Sequence, residues 1–219
     1  MLASLDALCL FRGDGAKGII MSDADDYKAK MKAVQKAHQD KQRELRDPEK
    51  GLVLVHTGNG KGKSSSAFGV IARALGWKQR VGVVQFVKGK WVTGEKQFFD
   101  ALGGVDWHMM GEGFTWDSQD KARDIAAAEA ALAKAREMMV SGDYDLIVLD
   151  EINISLRYDQ IAFAPVLEAL EARDSRTGVI LTRRNAPQEL VDYADLVTVM
   201  EEVKHPYKAG IKAQRGVDF

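Results

Sequence analysis

The chain has 219 residues, 46% apolar and 29% charged, with a formal charge of −1 and a single cysteine, Cys9. That is enough apolar material for one sizeable core, and the near-neutral balance carries no electrostatic footprint for nucleic acid or a membrane surface. One thiol excludes an intramolecular disulfide framework, and no apolar run approaches the roughly 20 residues that cross a bilayer, so a cytoplasmic protein is expected.

Residues 1–20, MLASLDALCLFRGDGAKGII, do not read as a signal peptide: Asp6 interrupts the apolar stretch and Arg12 follows it. They are taken as an extension without an assigned role. Residues 21–50 then form a distinct unit, rich in Lys, Asp, Gln and Ala, expected as a helical arm. Ser22 is the expected N-cap, with Asp23, Asp25 and Asp26 in the first turn at the positive end of the helix dipole. Tyr27, Met31 and Val34 recur at helical spacing but make only a thin stripe. Such a helix is either a solvated face or an arm that packs on a partner subunit or a bound ligand.

After Pro48 the texture changes. GLVLVHT (Gly51–Thr57) is a buried strand running into a Gly-rich loop, and a helix is predicted from Ser64 to Leu75, ended by Gly76. RVGVVQFVKG is a second strand leading to a loop with Trp91, and GVDWHMM a possible third. Residues 118–140 form a long Ala-rich helix with Ile125, Leu132 and Met139 on one face. YDLIVLDE is a fully apolar strand ending in two carboxylates, followed by helix at 160–173, strand GVILT, a short helix at 187–193 and the strand ADLVTVM. Strands alternating with helices over 51–219 imply a mostly parallel sheet covered on both faces, with the ligand at the carboxyl ends of the strands. The Gly-rich loop, the Trp91 loop and the pair Asp150–Glu151 all fall at such ends.

The loop follows a strand and opens a helix, the setting a phosphate-binding loop requires. Its spacing is unusual: reading back from Gly62-Lys63-Ser64 in the pattern G-x-x-x-x-G-K-[ST] puts Thr57 at the first position. The nucleotide-binding candidates are Thr57, Gly58, Asn59, Gly60, Lys61, Gly62, Lys63, Ser64 and Ser65. The glycines let backbone N–H groups turn toward an anion, Lys63 supplies charge to phosphate oxygens, and the Ser64 hydroxyl is suited to Mg²⁺. Asp150 is the expected metal-side carboxylate, with Glu151 open to metal, ribose or general-base roles, because adjacent residues of a strand face opposite ways. The fold expected is thus α/β, a P-loop NTPase-like three-layer domain with an N-terminal helical arm. A hydrolase or kinase also needs a group that positions water or the acceptor, and the sequence identifies none uniquely. Aromatic residues in Gly-rich loops stand out instead: Phe86 and Trp91 near Lys88, then Phe114 and Trp116 in GEGFTWDSQ. They suit a large flat ligand, or they clamp the loops.

Taken together, VHTGNGKGKSSSAFG, VVQFVKGKW, GEGFTW, VLDEIN, RRNAP and the closing VKHPYKAGIKAQRGVDF resemble the P-loop corrinoid adenosyltransferases, from about Asp23 to Phe219. The resemblance implies transfer of the 5′-deoxyadenosyl group of ATP to the cobalt(I) of a reduced corrinoid, with triphosphate leaving whole, in adenosylcobalamin biosynthesis or salvage. It implies donors to the triphosphate from the Gly60 and Gly62 N–H groups, Lys61, Lys63 and Mg²⁺ near Ser64 with Asp150. It further implies Phe114 and Trp116 beneath the corrin as catalytic aromatics, and Glu151 near ribose and metal. A homodimer is implied, in which the arm covers the neighbour's corrinoid site, with a flavoprotein as electron donor. One departure stands in Thr182-Arg183-Arg184, where the family shows Thr-Gly-Arg. The rival readings are a recombinase-like P-loop ATPase or switch, and a corrinoid-binding carrier without turnover; which corrinoid is preferred stays open.

Overall fold

The computed structural model describes residues 15–86, 93–110, 120–182 and 184–218. They fall into two compact units, one ending at Asp47 and one beginning at Pro48. The first holds helix α1 (Gly15–Glu44). It starts earlier than expected, so Ser22 lies inside the helix and is not its cap, and no acidic residue sits in the first turn. Tyr27, Met31 and Val34 are exposed, and Lys41 and Arg43 complement the dipole in the last turn.

The second unit is a six-stranded sheet, β1 (Val53–Thr57), β2 (Val81–Gln85), β3 (Val105–Met109), β4 (Leu146–Asp150), β5 (Gly178–Thr182) and β6 (Leu196–Val199). Its order is β3-β2-β4-β5-β1-β6, and every pairing is parallel. Alternation along the strands divides the core in two. Val53, Val55, Val84, Ile147, Leu149, Val179 and Leu181 face one cluster, while Val81, Val83, Leu146, Val148 and Ile180 face the other. Burial of each such aliphatic side chain contributes roughly 1.5–3 kcal/mol.

Helices α2 (Lys63–Gly76) and α3 (Gly94–Leu102) supply one cluster, through Ala67, Phe68, Ile71 and Ala74 and through Phe99. The opposite cluster takes α4 (Lys121–Val140), whose buried stripe Ala128, Ala131, Leu132, Ala135, Met138 and Met139 repeats at three and four residues. Leu132 and Met139 lie in that stripe as expected, while Ile125 is half-buried. Short helices α5 (Ile152–Arg157), α6 (Phe163–Glu171) and α7 (Gln188–Tyr193) complete the layer. Helix α2 ends at Gly76 as predicted, but the left-handed residue of the following turn is Lys78, at φ 60°. Trp91, Phe114, Trp116 and Arg183 lie outside the described residues.

Candidate active site

The site is built where β1, β4 and β5 end. These strands are neighbours in the order β4-β5-β1, so their last residues Asp150, Thr182 and Thr57 lie along one rim. Beyond Thr57 the chain runs against the segment that follows β6. Met200 N–H donates to the Thr57 carbonyl at 2.8 Å, and Gly60 N–H donates to the Met200 carbonyl at 2.7 Å. A Cβ on Gly58 would come within 2.3 Å of the Met200 carbonyl oxygen, and one on Gly60 within 2.6 Å of that of Glu201. Only glycine fits so close an approach. The Gly60 N–H, expected from the sequence as a phosphate donor, here donates to the Met200 carbonyl.

Gly62, at φ 106°, turns the chain into α2, and no side chain caps that helix. An uncapped N-terminus presents backbone donors and the positive end of the dipole to an anion. The lysines flank it differently. Lys63 reaches back to the Gly60 carbonyl, and exposed Lys61 pairs with the Asp218 carboxylate near the C-terminus. Asn59 and Ser65 are exposed. Thr57, the residue that breaks the usual spacing, is buried, and its hydroxyl accepts the Ala186 N–H at 3.1 Å. It tethers the loop after β5 to the end of β1, which a glycine has no side chain to do.

The expected metal-side pair does converge: Ser64 Oγ donates to Asp150 Oδ1 at 2.7 Å. Asp150 is completely buried and takes two more bonds. The Thr182 hydroxyl donates to Oδ1 at 2.7 Å, and Gln85 Nε2 donates to Oδ2 at 2.8 Å. Trp107 Nε1 donates to Gln85 Oε1 at 2.9 Å, which fixes the orientation of the amide. A buried carboxylate needs such partners, because desolvation without them costs several kcal/mol. Gln85, Thr182 and Trp107 were missed as site residues. The one available signal was a buried-strand pattern broken by glutamine in VGVVQ.

Glu151 takes another course. The strand ends at Asp150, and Glu151 adopts a left-handed φ of 68°, held by its N–H donating to the Thr182 hydroxyl at 3.0 Å. Such a conformation in a non-glycine residue costs on the order of 1–3 kcal/mol and recurs at functional turns. His56 is buried on β1, with Nδ1 3.3 Å from the Lys63 carbonyl, to which its N–H donates. Burial lowers its pKa below the ordinary 6.5, and the bond to Lys63 opposes the shift.

Mg²⁺ favours oxygen ligands and is held by one or two carboxylates together with phosphates. Ser64 and Asp150 supply oxygen donors at the open helix end. Among the described residues no group of three His, Cys, Asp or Glu is placed to hold a metal ion alone. The residues therefore fit a cation that arrives with a polyphosphate. No described helix is long and apolar enough to cross a membrane.

Comparison with known proteins narrows what this geometry serves. Residues 49–219 match the model of the family described as ATP:corrinoid adenosyltransferase BtuR/CobO/CobP. A corrinoid adenosyltransferase of Pseudomonas aeruginosa is 52% identical over 172 residues, covering 78% of this chain and 85% of that protein. One from Sinorhizobium sp is 46% identical over 202 residues, 90% of this chain and 94% of its own length. Corrinoid adenosyltransferase CobA of Salmonella typhimurium is 42% identical over 171 residues, with 78% and 87% covered.

Proposed function

The chain belongs to the ATP:corrinoid adenosyltransferase family BtuR/CobO/CobP, and on that footing we propose that it transfers the 5′-deoxyadenosyl group of ATP to the cobalt(I) of a reduced corrinoid. The reaction belongs to adenosylcobalamin biosynthesis or salvage. The electron pair of cobalt(I) forms the carbon–cobalt bond, the C5′–O bond breaks, and its pair remains on the α-phosphate oxygen. Triphosphate leaves intact. No water has to be activated, so the site has no need of a hydrolytic base.

The observation that carries this reading is the approach of Ser64 to Asp150 at 2.7 Å beside the uncapped start of α2. Lys61, Lys63 and that helix end face a leaving group whose negative charge grows as the bond breaks, which is where preorganised positive charge accelerates a reaction. Thr57 and Gly58–Gly62 set the loop's shape, Gly60 by clearance and not by donation, and Ser65 extends the first turn of α2. Mg²⁺, held by Ser64 and Asp150 with Glu151 beside them, would supply further positive charge to the triphosphate. Phe114 and Trp116 are assigned to the underside of the corrin, where apolar rings replace the lower axial ligand and ease reduction to cobalt(I). The working unit is a cytoplasmic homodimer in which the arm, residues 21–50, covers the neighbour's corrinoid site, and a flavoprotein supplies the electron. The extension before it has no role in this scheme.

The test is product analysis. With ATP, Mg²⁺ and chemically reduced cobalamin or an incomplete corrinoid, the protein is expected to yield a light-sensitive carbon–cobalt product and one triphosphate per turnover. ADP and phosphate formed without corrinoid would overturn the reading; comparing corrinoids in the same assay ranks the substrates.

A further inference from the structure

In this structure the cationic side of the phosphate loop is already matched by protein oxygens. The Gly60 N–H is bonded to the Met200 carbonyl, Lys63 to the Gly60 carbonyl, and Lys61 to Asp218. The last pair differs from the others, because its acceptor is a full negative charge on another segment. That charge is presented by a closed turn. Asp218 N–H donates to the Gln214 carbonyl at 2.8 Å, Val217 N–H donates to the same carbonyl at 3.1 Å, and Gln214 N–H donates to Asp218 Oδ2 at 2.8 Å. One carboxylate oxygen thus organises the turn while Oδ1 meets Lys61. The Gln214 N–H and then Lys61 hold the Asp218 carboxyl below its usual range. The turn is not wedged into the core: Gly216 and Val217 border a cavity of about 310 Å³ against Gly94, Glu95, Phe98 and Phe99.

We propose that Asp218 is an affinity-setting residue of the phosphate loop: its carboxylate competes with polyphosphate oxygens for Lys61 and favours departure of the triphosphate product. This rests on the reading that the loop holds the triphosphate. Cleavage of the C5′–O bond leaves the electron pair on oxygen, so the product carries one more negative charge than the same group had within ATP. A fixed carboxylate beside the site repels each added charge, and so weighs most on the product. Lys61 does two things in turn, pairing with Asp218 in the empty loop and with phosphate in the filled one.

The experiment titrates the full chain with Mg²⁺–tripolyphosphate and, separately, Mg²⁺–ATP by calorimetry. It compares wild type with Asp218→Asn, Asp218→Glu and Lys61→Ala. Asp218→Asn is expected to bind tripolyphosphate about tenfold more tightly, as removal of one charge near the site implies at an effective dielectric of about 20. ATP should tighten less, and Asp218→Glu should stay near wild type. The gain should shrink at about 1 M salt, where the Debye length falls to about 3 Å. Unchanged or weaker tripolyphosphate binding by Asp218→Asn overturns the inference and leaves the loop reading intact, provided wild type binds and Lys61→Ala weakens binding. Equal, salt-independent tightening of both ligands also overturns it, since that marks a loosened tail and not a competing charge. If wild type does not bind tripolyphosphate at all, the loop reading fails and the inference falls with it.

Discussion

At the scale of single residues, the site depends on Asp150, and Asp150 depends on residues with no motif of their own. Replacing Gln85 by Leu removes the donor to Oδ2 at a buried strand end and leaves the half-buried Trp107 N–H without that acceptor. A buried polar group left unsatisfied costs about 1–3 kcal/mol. Gln85→Leu is therefore expected to lower unfolding stability by about 3 kcal/mol in denaturant titration, and to weaken Mg²⁺-dependent ATP binding; wild-type values for both would remove Gln85 from the site. His56 makes a pH statement. Its folded pKa is depressed by burial, so the unfolded chain binds the proton more readily. Stability is then present above pH 6.5 and is lost as pH falls from there through the folded pKa. His56→Gln should flatten that slope in thermal melts between neutral and mildly acidic pH. Lys61, Lys63 and Ser64 were legible as candidates from their strand–loop–helix setting, and Asp150 from an apolar strand that ends in carboxylates. Gln85, Thr182 and Asp218 were not, since they reach the site through strand pairing and chain-end placement that local spacing does not encode.

At the scale of elements, the strands were readable from their apolar content, least so β3 with its Asp106 and His108. The two-sided burial of the inner strands β2, β4, β5 and β1 follows from their hydrophobic faces. Two helices were not. In α3 the cap is Thr93, whose hydroxyl accepts the Lys96 N–H, so the Glu that usually signals a capping box three residues on is missing. In α5 the buried Ile152 and Ile154 look like a continuation of β4, and it is the left-handed Glu151 that breaks the strand. Strand order was out of reach, being set by contacts distant in sequence. The loop after β1 is where an element-level change should act on function. Gly60→Ala places a methyl 2.6 Å from the Glu201 carbonyl oxygen, against backbone that has no rotamer to yield. The loop must shift, and misplacement of about 1 Å can cost about 100-fold. A loss of that order in kcat/KM for ATP is expected, with far-UV circular dichroism unchanged; normal kinetics would show the loop's approach to β6 is immaterial. Phe114 and Trp116, in the segment between β3 and α4, call for a different assay. Their double Ala variant should lose more activity from cobalt(II) corrinoid with a reductant than from chemically reduced cobalt(I), and equal losses would contradict the axial-ligand role.

At the scale of the whole molecule, the two units differ in what they can support. Both hydrophobic clusters draw their buried residues from between Val53 and Leu190, so the unit from Pro48 onward contains its own core. Helix α1 buries little within itself: its Tyr27 and Val34 are more than half exposed, and its polar faces offer many charges but no apolar stripe wide enough to fold around. An isolated helix of this kind is held by what it meets, not by propensity. The family model begins at Glu49, yet the match to the Sinorhizobium relative takes in 90% of the chain and so extends into the arm. Deletion of residues 1–47 separates these contributions. The remaining unit should keep a cooperative unfolding transition and a KM for ATP within about twofold of the full chain, because no residue of the Asp150 network is removed. If the arm closes the corrinoid site, the KM for corrinoid should rise about tenfold or more, equivalent to about 1.4 kcal/mol of lost contact. A mixing assay tests whether the arm acts across subunits: arm-deleted chains mixed with full-length chains carrying Lys63→Ala should regain turnover if the arm of one chain serves the site of another. Unchanged corrinoid KM after deletion would return the arm to a solvated helix.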